Sequence, residues 1–171
     1  MAVEPTIRSI GVIGTPGCGK TTFCQQSNMP IIDLAEYAKE HDCLGEAGAD
    51  GAAEMDVEKL SKKWKNPDRL TLVDGHLAHH LPVDAILVIR CNPDELSKRL
   101  ESRGYSNKKI RDNCEVELMG GPWFDGLVGD KRPIFEIELS ESSSKKAVEW
   151  INSGCPPHTT VGTALDWIAQ E

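Results

Sequence analysis

The stretch GTPGCGKTTF, from Gly14 to Phe23, decides the fold of this chain. It matches G-x-x-x-x-G-K-[ST], the pattern of a phosphate-binding loop, and it follows a short run of strand-forming residues from Ile7 to Ile13. A helix is expected from about Lys20. This order of strand, loop and helix turns backbone N–H groups and a helix N-terminus toward a phosphate. A glycine turn with a chance lysine is the alternative, and the complete motif at the first strand-to-helix junction argues against it.

The loop predicts a nucleotide site in which the backbone is the main anion receptor. Its glycines permit backbone angles that side chains would forbid. Lys20 is expected to reach the outer phosphates, and the Thr21 hydroxyl is expected to coordinate Mg²⁺. The residues expected to bind ATP are Gly14, Pro16, Gly17, Cys18, Gly19, Lys20, Thr21 and Thr22, together with Arg99.

An acidic residue at the end of a neighbouring strand should complete the metal site, and LTLVDGH supplies Asp74 in that place. The alternative is that Asp74 only caps a turn, since Asp-Gly is a common turn pair. His76 lies two residues further on and could orient a water molecule or an acceptor near the phosphates. A structural role for His76 is equally open at this point.

Two arginines, Arg99 and Arg103, stand four residues apart in SKRLESRGY, just before a Gly-Tyr break. They could clamp a nucleotide as a mobile element closes, because phosphoryl transfer needs both the exclusion of water and a cation at the developing charge. A solvated basic helix face that balances Glu95 and Glu101 is the other interpretation.

Alternating strands and helices predict one α/β domain over residues 1–171, with a doubly wound parallel sheet of about five strands. The segment 41–56, rich in glycine, alanine and acid, is interpreted as a flap, and 104–113 as a short lid. A last amphipathic stretch would place Val161, Leu165 and Ile168 on one face. The predicted strands are Ile7–Ile13, Pro30–Leu34, Leu70–Asp74, Ala85–Arg90 and Pro133–Leu139.

Composition excludes several classes of protein. The 171 residues carry a net charge of -8 with a pI near 5.2, so a general nucleic-acid or membrane-surface binder is not expected, while a basic protein partner is compatible. The N-terminus lacks the order of a signal peptide and no apolar run approaches a membrane span, which predicts a cytoplasmic protein. The six scattered cysteines are interpreted as free thiols, and the histidines do not pair with them at zinc-ligand spacing.

Three blocks of the chain resemble one family: GTPGCGKTT, LVDGHLAHHLPVDAILVIRCNP and LSKRLESRGYSNKKIRDNCEVEL. Together they are similar to adenylate kinase isoenzyme 6, the coilin-interacting nuclear ATPase family, in its archaeal form. The resemblance covers Arg8 to about Leu118. It implies a nucleoside-monophosphate-kinase-like P-loop fold, a five-stranded parallel sheet with helices on both faces, and phosphoryl transfer from ATP to AMP or a related monophosphate together with ATP hydrolysis. It also implies a role in small ribosomal subunit maturation with a basic ribosomal protein as partner.

Carried over by position, the resemblance implies that Asp74 is the Walker B acid and His76 the Walker B histidine. Arg99 would lie near the ATP base and Arg103 near the phosphates. The chain departs from the family in EHDCLGEAGADGAAEMD, where Lys39 just before it is the only candidate grip for a monophosphate. It departs again in GGPWFDGLVGDKRP, where Trp123 and Phe124 are expected to pack against the sheet rather than form a contact surface.

Rival functions stay open at this stage. The kinase interpretation needs an acceptor site and a lid, whereas an assembly ATPase needs only ATP, a positioned water and a partner. A GTPase is disfavoured because Asn107-Lys108-Lys109-Ile110 lacks the aspartate of N-K-x-D. A small-metabolite kinase could use Asp33 for an acceptor hydroxyl. A nonenzymatic chaperone for a ribosomal protein would not need Lys20.

Overall fold

Five parallel strands form the central sheet in the computed structural model, which describes residues 6–49, 51–157 and 165–169. Together with two strands outside this sheet, the strands of the described residues are β1 Ser9–Ile13, β2 Ile31–Asp33, β3 Leu44–Ala47, β4 Ala53–Met55, β5 Thr71–Asp74, β6 Ala85–Arg90 and β7 Ile134–Glu138. The sheet has the order β2-β5-β1-β6-β7, and β3 and β4 form a separate antiparallel hairpin. The predicted five-stranded parallel sheet is therefore confirmed.

Six helices connect and cover the strands within the part of the chain that the structure describes, and side-chain caps mark where several of them begin. Asn92 Oδ1 accepts the Asp94 N–H at 2.9 Å, and Ser106 Oγ accepts the Lys109 N–H at 3.3 Å. Each cap satisfies a backbone N–H group in the first turn of the helix that follows it. The helices are α1 Lys20–Gln26, α2 Leu34–Glu40, α3 Val57–Lys63, α4 Pro93–Ser102, α5 Asn107–Leu118 and α6 Glu141–Asn152, with 3-10 turns at Ala78–His80 and Gly121–Trp123.

The core lies on both faces of the sheet, as continuous apolar strands require. On one face, Ile10 and Leu87 pack in a cluster with Phe23 of α1, Leu96 and Leu100 of α4, and α6. The opposite face carries a second cluster that includes residues from α2 and α3. Because β1 and β6 are buried throughout, the loop that follows β1 is held at the centre of the molecule.

The flap-like segment contains the hairpin of β3 and β4, which sequence periodicity did not predict. Most of its side chains are exposed, so no alternation of apolar and polar residues marks the strands. Its base is anchored by main-chain groups: the Asp56 N–H donates to Cys43 O at 2.9 Å, and the ammonium groups of Lys59 and Lys63 donate to Asp42 O and His41 O, each at 2.6 Å. Backbone pairing and two lysines therefore hold this hairpin, and its base packs against the core through Leu44 and Met55.

Two aromatic residues and the C-terminal stretch depart from the expected packing. Trp123 is buried, but Phe124 is 72% exposed, so only the first of this pair packs as expected. Leu165 is half-buried and Ile168 is 63% exposed, whereas Trp167 is buried. The expectation of one apolar face through Leu165 and Ile168 is therefore wrong, and Val161 lies outside the described residues.

Within the residues described, no helix combines the length and the apolar character that crossing a membrane would require. All six cysteines are free thiols; five are buried and Cys114 is half-buried. Most of them therefore serve as small core residues.

Candidate active site

The phosphate loop adopts a conformation that only glycine accommodates at two positions. Gly17 has φ of 94° and Gly19 has φ of 104°, both in the left-handed region. A Cβ atom at Gly17 would lie 2.9 Å from methyl groups of Leu96 and Leu100, and one at Gly19 would lie 2.6 Å from a Leu139 methyl. Backbone angle and crowding therefore both exclude a side chain, and the loop is packed directly against α4 and the end of β7.

Lys20 lies folded over the loop. Its Nζ donates to Gly14 O at 2.9 Å and to Thr15 O at 3.3 Å. Burial lowers the pKa of this ammonium group, and the negative charge of Asp74 acts in the opposite direction. The charge therefore rests on loop carbonyls at the rim of the predicted phosphate site, where a flexible side chain can exchange these partners for phosphate oxygens.

Thr21 and Asp74, the two residues predicted to hold Mg²⁺, lie in direct contact. Thr21 Oγ1 donates to Asp74 Oδ2 at 2.7 Å. The contact follows from the fold, because β5 pairs with β1 in parallel and brings Asp74 opposite Val12, just before the loop. Thr21 is exposed and Asp74 is half-buried, so both oxygens can be reached from solvent.

Both predicted arginines lie at the loop. Arg99 donates from one guanidinium nitrogen to Gly17 O at 3.4 Å. Arg103 lines a cavity of about 210 Å³ together with Gly17, Lys20, Thr21 and other loop residues. Arg99 lies in α4, whose Leu96 and Leu100 pack on the loop, and Arg103 follows directly after this helix ends at Ser102.

His76 borders a second cavity, of about 220 Å³, on the other side of the loop. Gly14, Thr15 and Pro16 form one wall of this cavity, and Val116 of α5 belongs to another. Desolvation by the surrounding protein, followed by the charge of Lys20, lowers the pKa of the His76 imidazole. The shift favours the neutral form of this ring, which is exposed at the edge of the cavity.

A buried ion pair at the start of the loop has no counterpart among the sequence-predicted residues. Arg90 and Glu117 are both fully buried, and Arg90 Nε donates to Glu117 Oε1 at 2.7 Å. Thr15 Oγ1 donates to Glu117 Oε2 at 2.6 Å. The signal in the sequence was Arg90 itself, since an arginine within the apolar run AILVIR needs a buried carboxylate partner.

This network extends to the C-terminal stretch and to the Trp123 turn. Trp167 Nε1 donates to Glu117 Oε1 at 3.2 Å, and Arg90 donates to Leu165 O at 3.0 Å. Glu136 of β7 accepts from the Trp123 indole N–H. The end of α5, the loop and residues 165–167 are thus tied to a single buried arginine.

The two residues considered for binding a phosphoryl acceptor, Lys39 and Asp33, contribute little to the site. Lys39, the sequence-predicted grip, is exposed in the last turn of α2. Asp33 caps α2, since its Oδ1 accepts the Glu36 N–H at 3.1 Å, which gives this carboxylate a structural role. Neither side chain contacts the loop among the interactions of the described residues.

Comparison with known proteins relates the chain to nucleotide-binding enzymes. A family model described as an AAA domain matches residues 10–120, a span that includes the loop, Asp74 and both arginines. A Pyrococcus abyssi protein named "Putative adenylate kinase" is 33% identical over 150 residues, covering 83% of this chain and 81% of that protein. A protein of the same name from Thermococcus gammatolerans is 36% identical over 168 residues, covering 92% of each.

A solved structure supports the fold. TT1252 from Thermus thermophilus superposes with a TM-score of 0.55 over 87% of this chain and 98% of that chain, at 14% identity. At this identity the likeness concerns architecture alone, and it agrees with the predicted α/β P-loop fold.

Proposed function

The chain belongs to the AAA domain family, whose model matches residues 10–120, and to the archaeal adenylate-kinase-like proteins, and from this premise we propose that it transfers the γ-phosphoryl group of ATP to AMP. As an adenylate-kinase-like P-loop enzyme it is a phosphotransferase; the choice of AMP and the accompanying ATP hydrolysis are the parts proposed. The observation that carries the proposal is the convergence of Lys20, Thr21 and Arg103 on one small cavity at the loop.

In this proposal the loop binds the β and γ phosphates through its backbone N–H groups at the start of α1. Lys20 leaves the carbonyls of Gly14 and Thr15 and pairs with the outer phosphate oxygens. Arg103 neutralises charge that develops during transfer, because it lines the same cavity. Arg99, held at Gly17 O and close to Gly19, borders the path of the nucleotide toward Leu139.

The residues present fit a bound Mg²⁺. Thr21 and Asp74 offer a hydroxyl and a carboxylate, and Mg²⁺ prefers such oxygen ligands. Thr21 would hold the ion directly, with Asp74 beside it. When bound, Mg²⁺ would neutralise charge on the β and γ phosphates.

His76 would orient the attacking group from the second cavity. Its lowered pKa keeps the imidazole neutral at physiological pH, so the ring can accept a hydrogen bond from a water molecule or an acceptor. Closure of 104–113 as a lid and 41–56 as a flap would keep bulk water out, and incomplete closure would give ATP hydrolysis beside transfer.

A second candidate function is that of an ATPase in small ribosomal subunit maturation, controlled by a basic ribosomal protein. One observation favours it: residues 41–56 contain no lysine or arginine, so the flap offers little to grip a monophosphate. The net charge of -8 suits a basic partner. The narrower resemblance to the coilin-interacting nuclear ATPases supports the same role.

Product analysis separates the two functions. Purified protein would be given Mg-ATP alone and then with AMP, CMP, GMP, UMP or shikimate, and ADP and free phosphate would be quantified together. Two ADP formed for each AMP consumed, with little phosphate, supports the kinase. Phosphate equal to ADP whatever the acceptor contradicts it and supports the ATPase. The same assay on Lys20→Ala gives the background from contaminating enzymes.

A further inference from the structure

A pair of histidines and an aspartate converge beside the phosphate loop, outside the residues assigned to nucleotide binding. His79 and His80 lie in the 3-10 turn after β5, and Asp125 lies in the loop after Trp123. His79 Nε2 is 3.1 Å and His80 Nε2 is 3.0 Å from Asp125 Oδ2. All three ligand atoms lie within 4.8 Å of one another. Two segments 45 residues apart thus bring three metal-ligating atoms to one point.

From this geometry we propose that His79, His80 and Asp125 bind one divalent transition-metal ion of the zinc class. Metal–ligand bonds of about 2.0–2.1 Å in a tetrahedral site place the ligand atoms about 3.3 Å apart. The two nitrogen–oxygen distances to Asp125 Oδ2 are shorter than this by about 0.2 and 0.3 Å, so a small shift of the exposed Asp125 side chain would admit the ion. Three protein ligands would leave a fourth position for water or another oxygen ligand.

The ligand chemistry selects the class of ion. Two imidazole nitrogens with one carboxylate suit zinc and its neighbours, whereas Mg²⁺ takes oxygen ligands. The proposed site and the Thr21–Asp74 pair would therefore bind different ions at once. The proposal does not depend on which phosphoryl acceptor the enzyme uses.

Burial limits the contacts that His79 can make. Its side chain is 3% exposed, and its Nδ1 atom is buried without a hydrogen-bond partner among the described residues. Its Nε2 atom lies 2.9 Å from the main-chain oxygen of Asp125 and 3.1 Å from Asp125 Oδ2, so this ring is directed at one residue. A metal ion would use the Nε2 atoms of both histidines and the Asp125 carboxylate as ligands.

The position of the site gives it a structural consequence. His79 and Asp125 line the same cavity of about 220 Å³ as His76 and the first residues of the loop. Arg132 already anchors the segment that contains Asp125, since it donates to His79 O at 2.7 Å and to Asp130 Oδ2 at 2.6 Å. A metal ion would add a second anchor and fix the wall of the cavity that His76 borders.

Zinc binding to the full-length protein tests the proposal. Protein stripped with a chelator would be titrated with Zn²⁺ against a chromophoric chelator, with millimolar Mg²⁺ present to occupy the oxygen-ligand site. We expect one Zn²⁺ per chain. His80→Asn and Asp125→Asn should each weaken binding at least about tenfold, since even the loss of an outer-shell partner commonly costs 10–100-fold. His41→Asn, whose ring stacks on Tyr37, and Asp112→Asn are matched controls that should bind normally.

Two further readouts keep folding and cysteine ligation apart from the proposed site. Zn²⁺ at about 100 times Kd should raise Tm by about 5–10 °C in the wild type and by much less in the two ligand variants. Co²⁺ should give visible bands of a nitrogen and oxygen site without a thiolate charge-transfer band. Absence of stoichiometric zinc, a thiolate band, or unchanged affinity in both folded ligand variants would overturn the proposal.

Discussion

The two ends of the phosphate loop are held in different ways. At the first end, Thr15 donates to Glu117 within a fully buried network centred on Arg90. At the far end, Thr21 donates to Asp74 where solvent reaches both side chains. The first end contributes to the stability of the fold, because buried charges must stay paired. The second end can exchange its hydrogen bond for a ligand, so it is suited to chemistry. Mutations at the two ends should therefore separate stability from activity.

Lys20→Ala, at the chemical end, should have the largest effect. Without the ammonium group, the outer phosphates lose a positive charge that Arg103 alone does not replace, and we expect kcat/KM for Mg-ATP to fall about 10³-fold or more, a loss of about 4 kcal/mol in transition-state stabilisation. Thermal stability should change little, because the Lys20 hydrogen bonds within the described residues go to loop carbonyls. Lys62→Ala, an exposed lysine of α3, is the control. Near-normal turnover by Lys20→Ala would remove the proposed mechanism.

Glu117→Gln should have the largest effect on stability. It puts a neutral amide against Arg90 Nε and leaves Glu136, 3.5 Å from the guanidinium, as the remaining carboxylate partner, so we expect a cost of about 3 kcal/mol, at the lower end of the range for a broken buried pair. Urea unfolding followed by far-UV circular dichroism measures the loss. Glu115→Gln, two residues earlier and exposed on the same helix, should remain within about 0.5 kcal/mol of the wild type. Equal stability of the two variants would show that the buried network does not support the fold.

Asp74→Asn should reproduce the effect at the chemical end with a smaller magnitude. The amide keeps the size of the side chain but loses the charge beside Thr21, so we expect kcat/KM with Mg-ATP to fall about 10²-fold, or about 2.7 kcal/mol. The melting temperature should shift by only a few degrees. Titration with Mg²⁺ should show that more metal is needed for half-maximal rate. Asp112→Asn is the exposed control. A large loss of stability with normal kinetics would assign Asp74 to the structural end.

The sequence predicted the residues at the chemical end of the loop but not the buried contact at its first end. Thr21 and Asp74 were predicted together because the motif and the end of a strand fix their places in any fold of this type. The contact of Thr15 with Glu117 joins residues 102 positions apart, and the pattern of α5 does not reveal that Glu117 is buried while Glu115 is exposed. The strands were found because their apolar runs are continuous. The β3–β4 hairpin was missed because backbone pairing and lysine contacts hold it.

The tail shows the same limit of local pattern. Spacing alone favoured Leu165 and Ile168 as an apolar face, but Trp167 is the buried residue because its indole N–H finds Glu117. Likewise, His79 and His80 lack cysteine partners in the sequence, and only the fold brings Asp125 to them. Pairings between distant segments decide these sites, so periodicity within one segment cannot predict them.

Matched threonine substitutions at the two ends give the smallest effects and the most direct comparison. Thr15→Val removes the donor to Glu117 Oε2 and leaves a buried carboxylate oxygen without that partner, which should cost about 1–3 kcal/mol of stability. Thr21→Val removes an exposed hydroxyl, so stability should change by less than about 0.5 kcal/mol while the rate with Mg-ATP falls. Urea unfolding and steady-state kinetics on both variants measure the two quantities. Threonine and valine have similar helix propensities, so a difference between the two variants in stability and in rate is not explained by propensity. If Thr21→Val were the less stable variant and Thr15→Val the less active, the assignment of stability to one end and chemistry to the other would be wrong.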